Sequence, residues 1–412
     1  MSDQITIKTG QEGSALDQIK AYGSKFRSGE MGAVPAIAAL LLLLVIFNFV
    51  SPYFLTTINI ANLFVQSATL MMLSAALVFV IMLGEIDLSA GVTAGTGMAV
   101  FVKLNQLGWS WPLTLALAFV IGLATGWFIG FFVAKIGVPS FVISLALYLA
   151  FPGVMLIILG EGGVLRLEVP EVSAIMNTNL AVWQGWLMLA ICLVLTFAMG
   201  YWDRSRRLKA GLPARPLSLL IYKVAAIGVL GGAGVYILNL SRSLNPLFPV
   251  QGVPTVIPIA LFILFVGTFV LDRTKFGRYM YAVGGNPEAA RRAGIKVAKI
   301  RIYAFMICSF LAMISGVFNV SRIGNVESSA GRAIVLSGVA AAVVGGVSLF
   351  GGRGRLVHAA IGAFVISIID NGLGLIGIPA GVSFIVTGIV LSVAATVDAL
   401  SRKRSGGSLT RT

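Results

Sequence analysis

Three carboxylates stand inside or at the edge of apolar sequence: Glu85, Asp87 and Asp370. In such surroundings a carboxylate is costly unless it faces water, a partner or hydrogen-bond donors. Asp370 is followed by Asn371 and Gly372, which add amide groups and room for close approach. Three uses compete for it: lining a solute path, a structural anchor held by donors of a neighbouring helix, and a proton relay. Relays run on chains of carboxylates and histidines. Here such acids are few and His358 is the sole histidine, so the relay ranks last. Glu85 and Asp87 belong to Gly84–Gly91, a break between two apolar stretches. Asp87 or Ser89 suits the N-cap of the helix that follows, a reading preferred to direct solute contact.

Other chemistry is poorly supplied. Cys192 and Cys308 both lie in apolar sequence, where small buried hydrophobes are expected. Neither they nor His358 has the spacing of a metal site. A single histidine gives little acid–base capacity. No Gly-rich loop leads into a Gly-Lys pair followed by Ser or Thr, so the phosphate-cradling motif of nucleotide hydrolases is missing. No catalytic residue, metal ligand or cofactor is assigned to this chain, which reads as no enzyme by itself.

The stretch from Gly284 to Gly294 reads as a short polar helix capped at both ends. Asn286 suits the N-cap, Pro287 the first turn, and Glu288 complements the positive end of the dipole. Gly294 suits the left-handed residue that closes a helix. About two turns are not stable alone in water. A capped helix of this size is therefore expected to dock, with Arg291 and Arg292 available to pair with acids on a partner.

The elements that must position these residues are membrane spans. The chain has 412 residues, is 58% hydrophobic and only 11% charged, outside the range of soluble domains. Apolar segments recur at 32–51, 61–84, 90–103, 113–135, 138–160, 182–200, 219–240, 255–271, 302–321, 333–350, 357–378 and 380–399. Most have the length needed to cross a bilayer. An all-α polytopic membrane protein of about 10–12 transmembrane helices is expected, some short or broken; segment 90–103 is a candidate half-helix. A β-barrel would instead show short alternating strands.

The net charge of +15 follows the same plan. If all the segments cross, only Lys103, Arg166, Arg242, Arg322 and Arg332 of the 30 basic residues fall on one side. The other side is then cytoplasmic. Membrane lipids, through anionic headgroups, are the expected partner of this charge, and nucleic acid is not. The expected layout is a cytoplasmic tail at 1–31, a membrane domain at 32–400 with a cytoplasmic loop at 272–301, and a cytoplasmic tail at 401–412. The polar start shows no cleavable signal, so the first span is expected to act as an uncleaved anchor. Loop 201–218 carries Arg204, Arg206, Arg207, Lys209 and Arg215. Loop 161–181, with Glu161, Glu168, Pro170 and Glu171, is external and long enough to touch an outside partner. Gly122, Gly126 and Gly130 share one helix face, a spacing that lets backbones approach closely in lipid. A weak echo relates Gly84–Gly91 to Gly345–Gly352, in keeping with the internal repeats of many transporters.

Set in this frame, Glu288-Ala289-Ala290 and then Gly294 resembles the EAA-x-x-x-G signature of permease subunits of bacterial ABC importers. It follows Phe276-Gly277-Arg278 and Tyr281-Ala282-Val283-Gly284-Gly285-Asn286-Pro287, a run similar to monosaccharide permeases of the ribose/xylose class. Glu85-Ile86-Asp87-Leu88-Ser89 with Gly91 resembles that family's first Gly-rich element. Gly345-Gly346-Val347-Ser348-Leu349 with Gly351, Gly352 and Gly354 resembles its second, and Asp370-Asn371-Gly372-Leu373 resembles a late helix. The likeness spans roughly 35–400. Glu85 in place of Gly and the basic insert at 201–218 lean toward xylose-type permeases. Ala90, where many members carry Val, is a small departure.

The resemblance implies the ABC importer permease fold in the bacterial inner membrane. Two copies form the pathway above a cytoplasmic ATP-binding subunit, and a periplasmic sugar-binding protein delivers the solute. ATP and magnesium belong to the ATP-binding subunit. Asn286, Pro287, Glu288, Ala289, Ala290, Arg291, Arg292 and Gly294 become the ATPase-coupling residues, and Glu85, Asp87, Ser89, Asp370 and Asn371 the pathway residues. The competing expectations are a permease for another small solute, such as branched-chain amino acids or autoinducer-like sugars, and an ion-coupled secondary transporter.

Overall fold

The computed structural model describes residues 34–160, 162–212, 214, 216–243, 245 and 247–404. The tail expected at 1–31, Glu161, Arg215 and the end of the C-terminal tail lie outside the described residues.

The chain divides into two compact units. The larger, 31–178 with 254–400, begins with α1 (Val34–Val50), α2 (Thr57–Ile81) and α3 (Ala90–Gln106). Next come α4 (Trp111–Phe131), which ends in a π-helical turn at Phe132–Ile136, and α5 (Ser140–Leu159). A short strand β1 (Val164–Arg166) leads to α6 (Pro170–Asn177). After the second unit the chain resumes with α9 (Val256–Arg273), α10 (Lys275–Gly285), α11 (Pro287–Arg292), α12 (Val297–Ile323) and β2 (Asn325–Glu327). It ends with α13 (Arg332–Val344), α14 (Leu356–Leu375) and α15 (Ala380–Arg404). The second unit, in its described part, is a hairpin of α7 (Val182–Lys209) and α8 (Leu217–Asn239). Its helices meet where Gly185 faces Val235 and Gly200 faces Leu220. The hairpin exposes Trp183, Trp186, Tyr201, Trp202, Tyr222 and Tyr236, the residue types that collect at membrane interfaces.

Among the described residues, nine helices are long and apolar enough to cross a bilayer. Val34–Val50 and Arg332–Val344 are shorter apolar helices. Together with α3 these account for the apolar segments read from the sequence. The expected half-helix at 90–103 is a 17-residue helix entered through an extended stretch.

Burial separates the helices of the larger unit. α2, α12 and α14 are mostly interior, whereas α5, α9 and α15 keep exposed apolar faces, as lipid-facing spans must. The centre is the stretch from Met72 in α2 to Leu83 just beyond its end, packed with Phe305, Cys308 and Ala312 of α12 and Val335 and Ala342 of α13. The glycine face of α4 lies against α12: a Cβ on Gly126 would stand 2.7 Å from the Met306 backbone, and one on Gly130 2.7 Å from that of Ile302. The four-residue glycine spacing is thus a packing seam. At one end of this unit β1 pairs antiparallel with β2, Leu165 opposite Val326. α6 is tied to α12 there, Asn177 donating to the Ser321 carbonyl at 2.8 Å.

Candidate functional site

The capped helix forms as its residue types require. The Asn286 side chain accepts from the Ala289 N–H at 3.0 Å, and Pro287 opens α11. At the other end Gly294 is left-handed (φ 83°), and the Ile295 N–H reaches back to the Ala290 carbonyl at 3.0 Å, a closure that satisfies an orphan acceptor. Ala290 is the buried residue of α11, while Glu288, Ala289, Arg291 and Arg292 are exposed. A polar helix so short has no packing of its own to hold it; its position is set by α10 and α12 on either side.

α10 is strongly one-sided, burying Gly277, Met280, Val283 and Gly284. Thr274 caps it, accepting from the Gly277 N–H at 3.2 Å. At its far end α10 meets both glycine-rich breaks. The Gly352 N–H donates to the Met82 carbonyl at 2.8 Å, which ties the second break to the end of α2. Gly284 lies against this bond: a Cβ there would collide with the Met82 carbonyl and stand 2.8 Å from the Gly352 nitrogen. A Cβ on Gly351 would stand 2.9 Å from both the Gly284 carbonyl and the Gly84 nitrogen. Tyr281 adds a bond from its hydroxyl to the Gly354 carbonyl at 2.9 Å. Burial and the neighbouring Asp272 push its phenol up to about 12. Three segments far apart in sequence, 82–84, 281–285 and 351–354, thus form one backbone junction that side chains would wedge apart.

The first break leaves this junction as extended chain. Its backbone groups have no ladder to join, so side chains serve them. The Ile86 N–H donates to Ser140 Oγ at 3.1 Å, and Ser144 Oγ donates to the Ile86 carbonyl at 3.3 Å. Glu85 Oε1 lies 3.3 Å from Arg301 Nε, an ion pair of charge without an aligned N–H. Asp87 is wholly buried; its Oδ1 accepts from the Ser89 N–H at 2.9 Å and the Ser89 hydroxyl at 2.6 Å. The Cys308 thiol lies 3.8 Å from Oδ2. Ser89 is the N-cap residue of α3 but makes no side-chain capping bond. The expected cap is instead a local turn, Asp87 holding the residue that begins the helix.

Asp370 and Asn371 lie apart from this cluster, in the last turns of α14. Asn371 is buried and exchanges two amide hydrogen bonds with Asn59 of α2, each 2.9 Å. Asp370, next to it, is exposed. The five residues expected along a pathway therefore fall in two groups, and only Asp370 among them is exposed. Arg301 and Tyr281 are what sequence reasoning missed. Arg301 is one of eight basic residues in loop 272–301, and nothing in its surroundings singles it out. Among the described residues no cluster of His, Cys, Asp and Glu fits a metal. The arrangement suits mechanical transmission: a surface helix bearing charges, joined through α10 to two breaks in the membrane helices.

Comparison with known proteins agrees with this architecture. The model of the family described as "Branched-chain amino acid transport system / permease component" matches residues 59–395. The chain is 34% identical over 372 residues to the xylose transport system permease protein XylH of Escherichia coli K12, covering 90% of this chain and 92% of that one. It is 29% identical to the ribose import permease protein RbsC of the same strain, covering 88% and 92%. It is also 29% identical to the autoinducer 2 import system permease protein LsrC of Enterobacter sp. strain 638, covering 92% and 88%. No solved structure matches the chain.

Proposed function

We propose, from the premise that this chain belongs to the family of branched-chain amino acid transport system permease components, that it is the membrane subunit of an ATP-driven importer for a pentose-like monosaccharide. The sugar class is supported by 34% identity to a xylose permease over 90% of this chain. In this reading α11 docks on a cytoplasmic ATP-binding subunit, with Glu288 as its principal polar contact and Arg291 and Arg292 facing acids. Closure of that subunit moves α10, and the junction at Met82, Gly284 and Gly352 passes the motion to both breaks at once. Two copies enclose the path, a periplasmic binding protein supplies the sugar, and both chain ends are cytoplasmic. Asp370 is the polar group of α14 available to the path; Glu85, Asp87 and Ser89 shape the entry to α3. The observation that carries the reading is the junction itself, because neither a passive channel nor an ion-coupled carrier needs an exposed helix geared to two broken spans.

The test is detergent co-purification of the tagged chain from its native cells, with Glu288→Lys beside the wild type. We expect a nucleotide-binding partner with the wild type. With the variant we expect its loss and the abolition of xylose uptake, the protein remaining folded in the membrane. Unimpaired uptake by the variant would sink the ATP-driven reading. A partner retained together with uptake of a branched-chain amino acid, but not of a pentose, would overturn the sugar assignment alone.

A further inference from the structure

We propose that Arg332 lines the solute path within the bilayer, where it offers its guanidinium donors to a polyhydroxylated solute; the solute class rests on the function proposed above. In sequence Arg332 counts with the loops outside the membrane. The packing puts it deeper.

Depth follows from helices that share a base level at the junction. From Arg301, beside Glu85, α12 rises about 22 Å to Gly316. From Ser140, which holds Ile86, α5 rises about 22 Å to Met155. From Met82 the end of α2 lies about 20 Å below Thr69, whose carbonyl accepts from Ser315 of α12 at 2.8 Å. At this height stands the first half of α3: a Cβ on Gly316 would lie 3.1 Å from Ala94 Cβ, and one on Gly95 3.1 Å from Met155 Sδ. Against the same stretch sits the turn that precedes α13. A Cβ on Gly95 would lie 2.7 Å from the Ala330 carbonyl, and one on Gly91 would collide with the Gly331 carbonyl.

α13 then runs back to the base. Gly338 faces Leu73 and Leu77 of α2, and Gly345 lies on the His358 carbonyl at the start of α14. Its 13 residues cover about 20 Å. α13 therefore begins some two-thirds of the way across a hydrocarbon core of about 30 Å. Arg332 is its first residue and is exposed, as are Ser329 and Glu327 just before it. No carboxylate among the described residues pairs with Arg332. A charge exposed at this depth must face a water-filled passage or a partner, not lipid. Two further observations favour the passage. The Ser329 hydroxyl donates to Glu327 at 2.8 Å, so the exposed polar run continues from β2 toward Arg332. The hydroxyl of Thr93, wholly buried in the first turn of α3, has no hydrogen-bond partner. The N-terminal ends of α3 and α13 meet at Gly91 and Gly331 in direct backbone contact, so Arg332 stands beside the buried Thr93 turn at the same depth.

Water access is tested in full-length protein carrying Cys192→Ser, since Cys308 is buried. Membrane fragments open to both faces are treated with a charged, impermeant methanethiosulfonate. Arg332→Cys is expected to react, as is Glu168→Cys, an exposed control. Arg332→Ala is expected to lower uptake about tenfold, the loss of one charge-assisted bond, with Arg332→Lys intermediate and ATP-binding subunit retention unchanged. Inert Arg332→Cys beside a reactive control would overturn the proposal, since the residue would then face lipid or a second copy. So would labelling combined with full uptake by Arg332→Ala. If the wild type carries no pentose but Arg332→Cys reacts and Arg332→Ala slows another solute, the path residue stands and the sugar assignment falls.

Discussion

The junction makes one substitution decisive. Gly284→Ala adds a single methyl group, which would collide with the Met82 carbonyl and come within 2.8 Å of the Gly352 nitrogen. Both neighbours are backbone, so no side chain can swing aside. Overpacking of this kind costs about 1–3 kcal/mol. The bond from Gly352 to Met82, 2.8 Å long, cannot survive the insertion, and its loss adds about 0.5–1.5 kcal/mol. A total of roughly 2–4 kcal/mol falls on the contact that joins α10 to both breaks. Two kcal/mol is a factor of about 30 in any equilibrium the junction takes part in. The adjacent Gly285 is the control. It is the last residue of the same helix, and a Cβ added there would meet nothing within 4 Å, so Ala fits without overpacking. The assay is thermal unfolding in detergent together with uptake and ATP hydrolysis by the assembled importer. Gly284→Ala is expected to melt lower and to uncouple hydrolysis from uptake, with Gly285→Ala like the wild type. Equal behaviour of the two variants, in either direction, would refute the reasoning, because then the close approach at Gly284 would not be what the glycine is for.

Tyr281→Phe removes the bond to the Gly354 carbonyl and is expected to cost about 0.5–1.5 kcal/mol, read as a lower melting temperature. Between pH 10 and about 12 the native phenol keeps a proton that the unfolded chain has lost. Wild-type stability should therefore fall as pH rises through that window, and the variant should lack this slope. Asn371→Leu leaves the buried Asn59 Oδ1 without its donor, while Asn59 Nδ2 keeps its bond to the Phe54 carbonyl at 2.9 Å, and is expected to cost about 1–3 kcal/mol. The double replacement of Asn59 and Asn371 by Leu should recover part of that loss in the same melting assay, because the Phe54 carbonyl then loses the donor that Asn59 supplies, and a double variant as unstable as the sum of the singles would exclude the pairing as the cause.

Much of this protein is legible without its structure, for a physical reason: a bilayer leaves few choices. Apolar length sets the spans, basic residues set the expected orientation, and Asn286, Pro287 and Gly294 mark the ends of α11 through preferences that act within a turn. The glycine spacing of α4 announces a close helix contact. What sequence could not supply is which distant pieces touch. Gly84–Gly91 and Gly345–Gly352 read as a faint echo, yet their contact through Gly284 depends on the packing of α2, α10 and the chain before α14. Arg301 looked like its neighbours until α12 set it beside Glu85. Asn371 is one polar residue in an apolar helix until Asn59, on another helix, supplies the matching amide. Arg332 reads as an outer-loop charge because hydropathy counts residues along the chain. Its depth is fixed by Gly91 and Gly95, whose missing side chains let the turn at Ala330 and Gly331 descend beside α3. Local preferences are written in neighbouring residues; the junction and the depth of α13 come from backbone approaches between segments that the sequence keeps far apart.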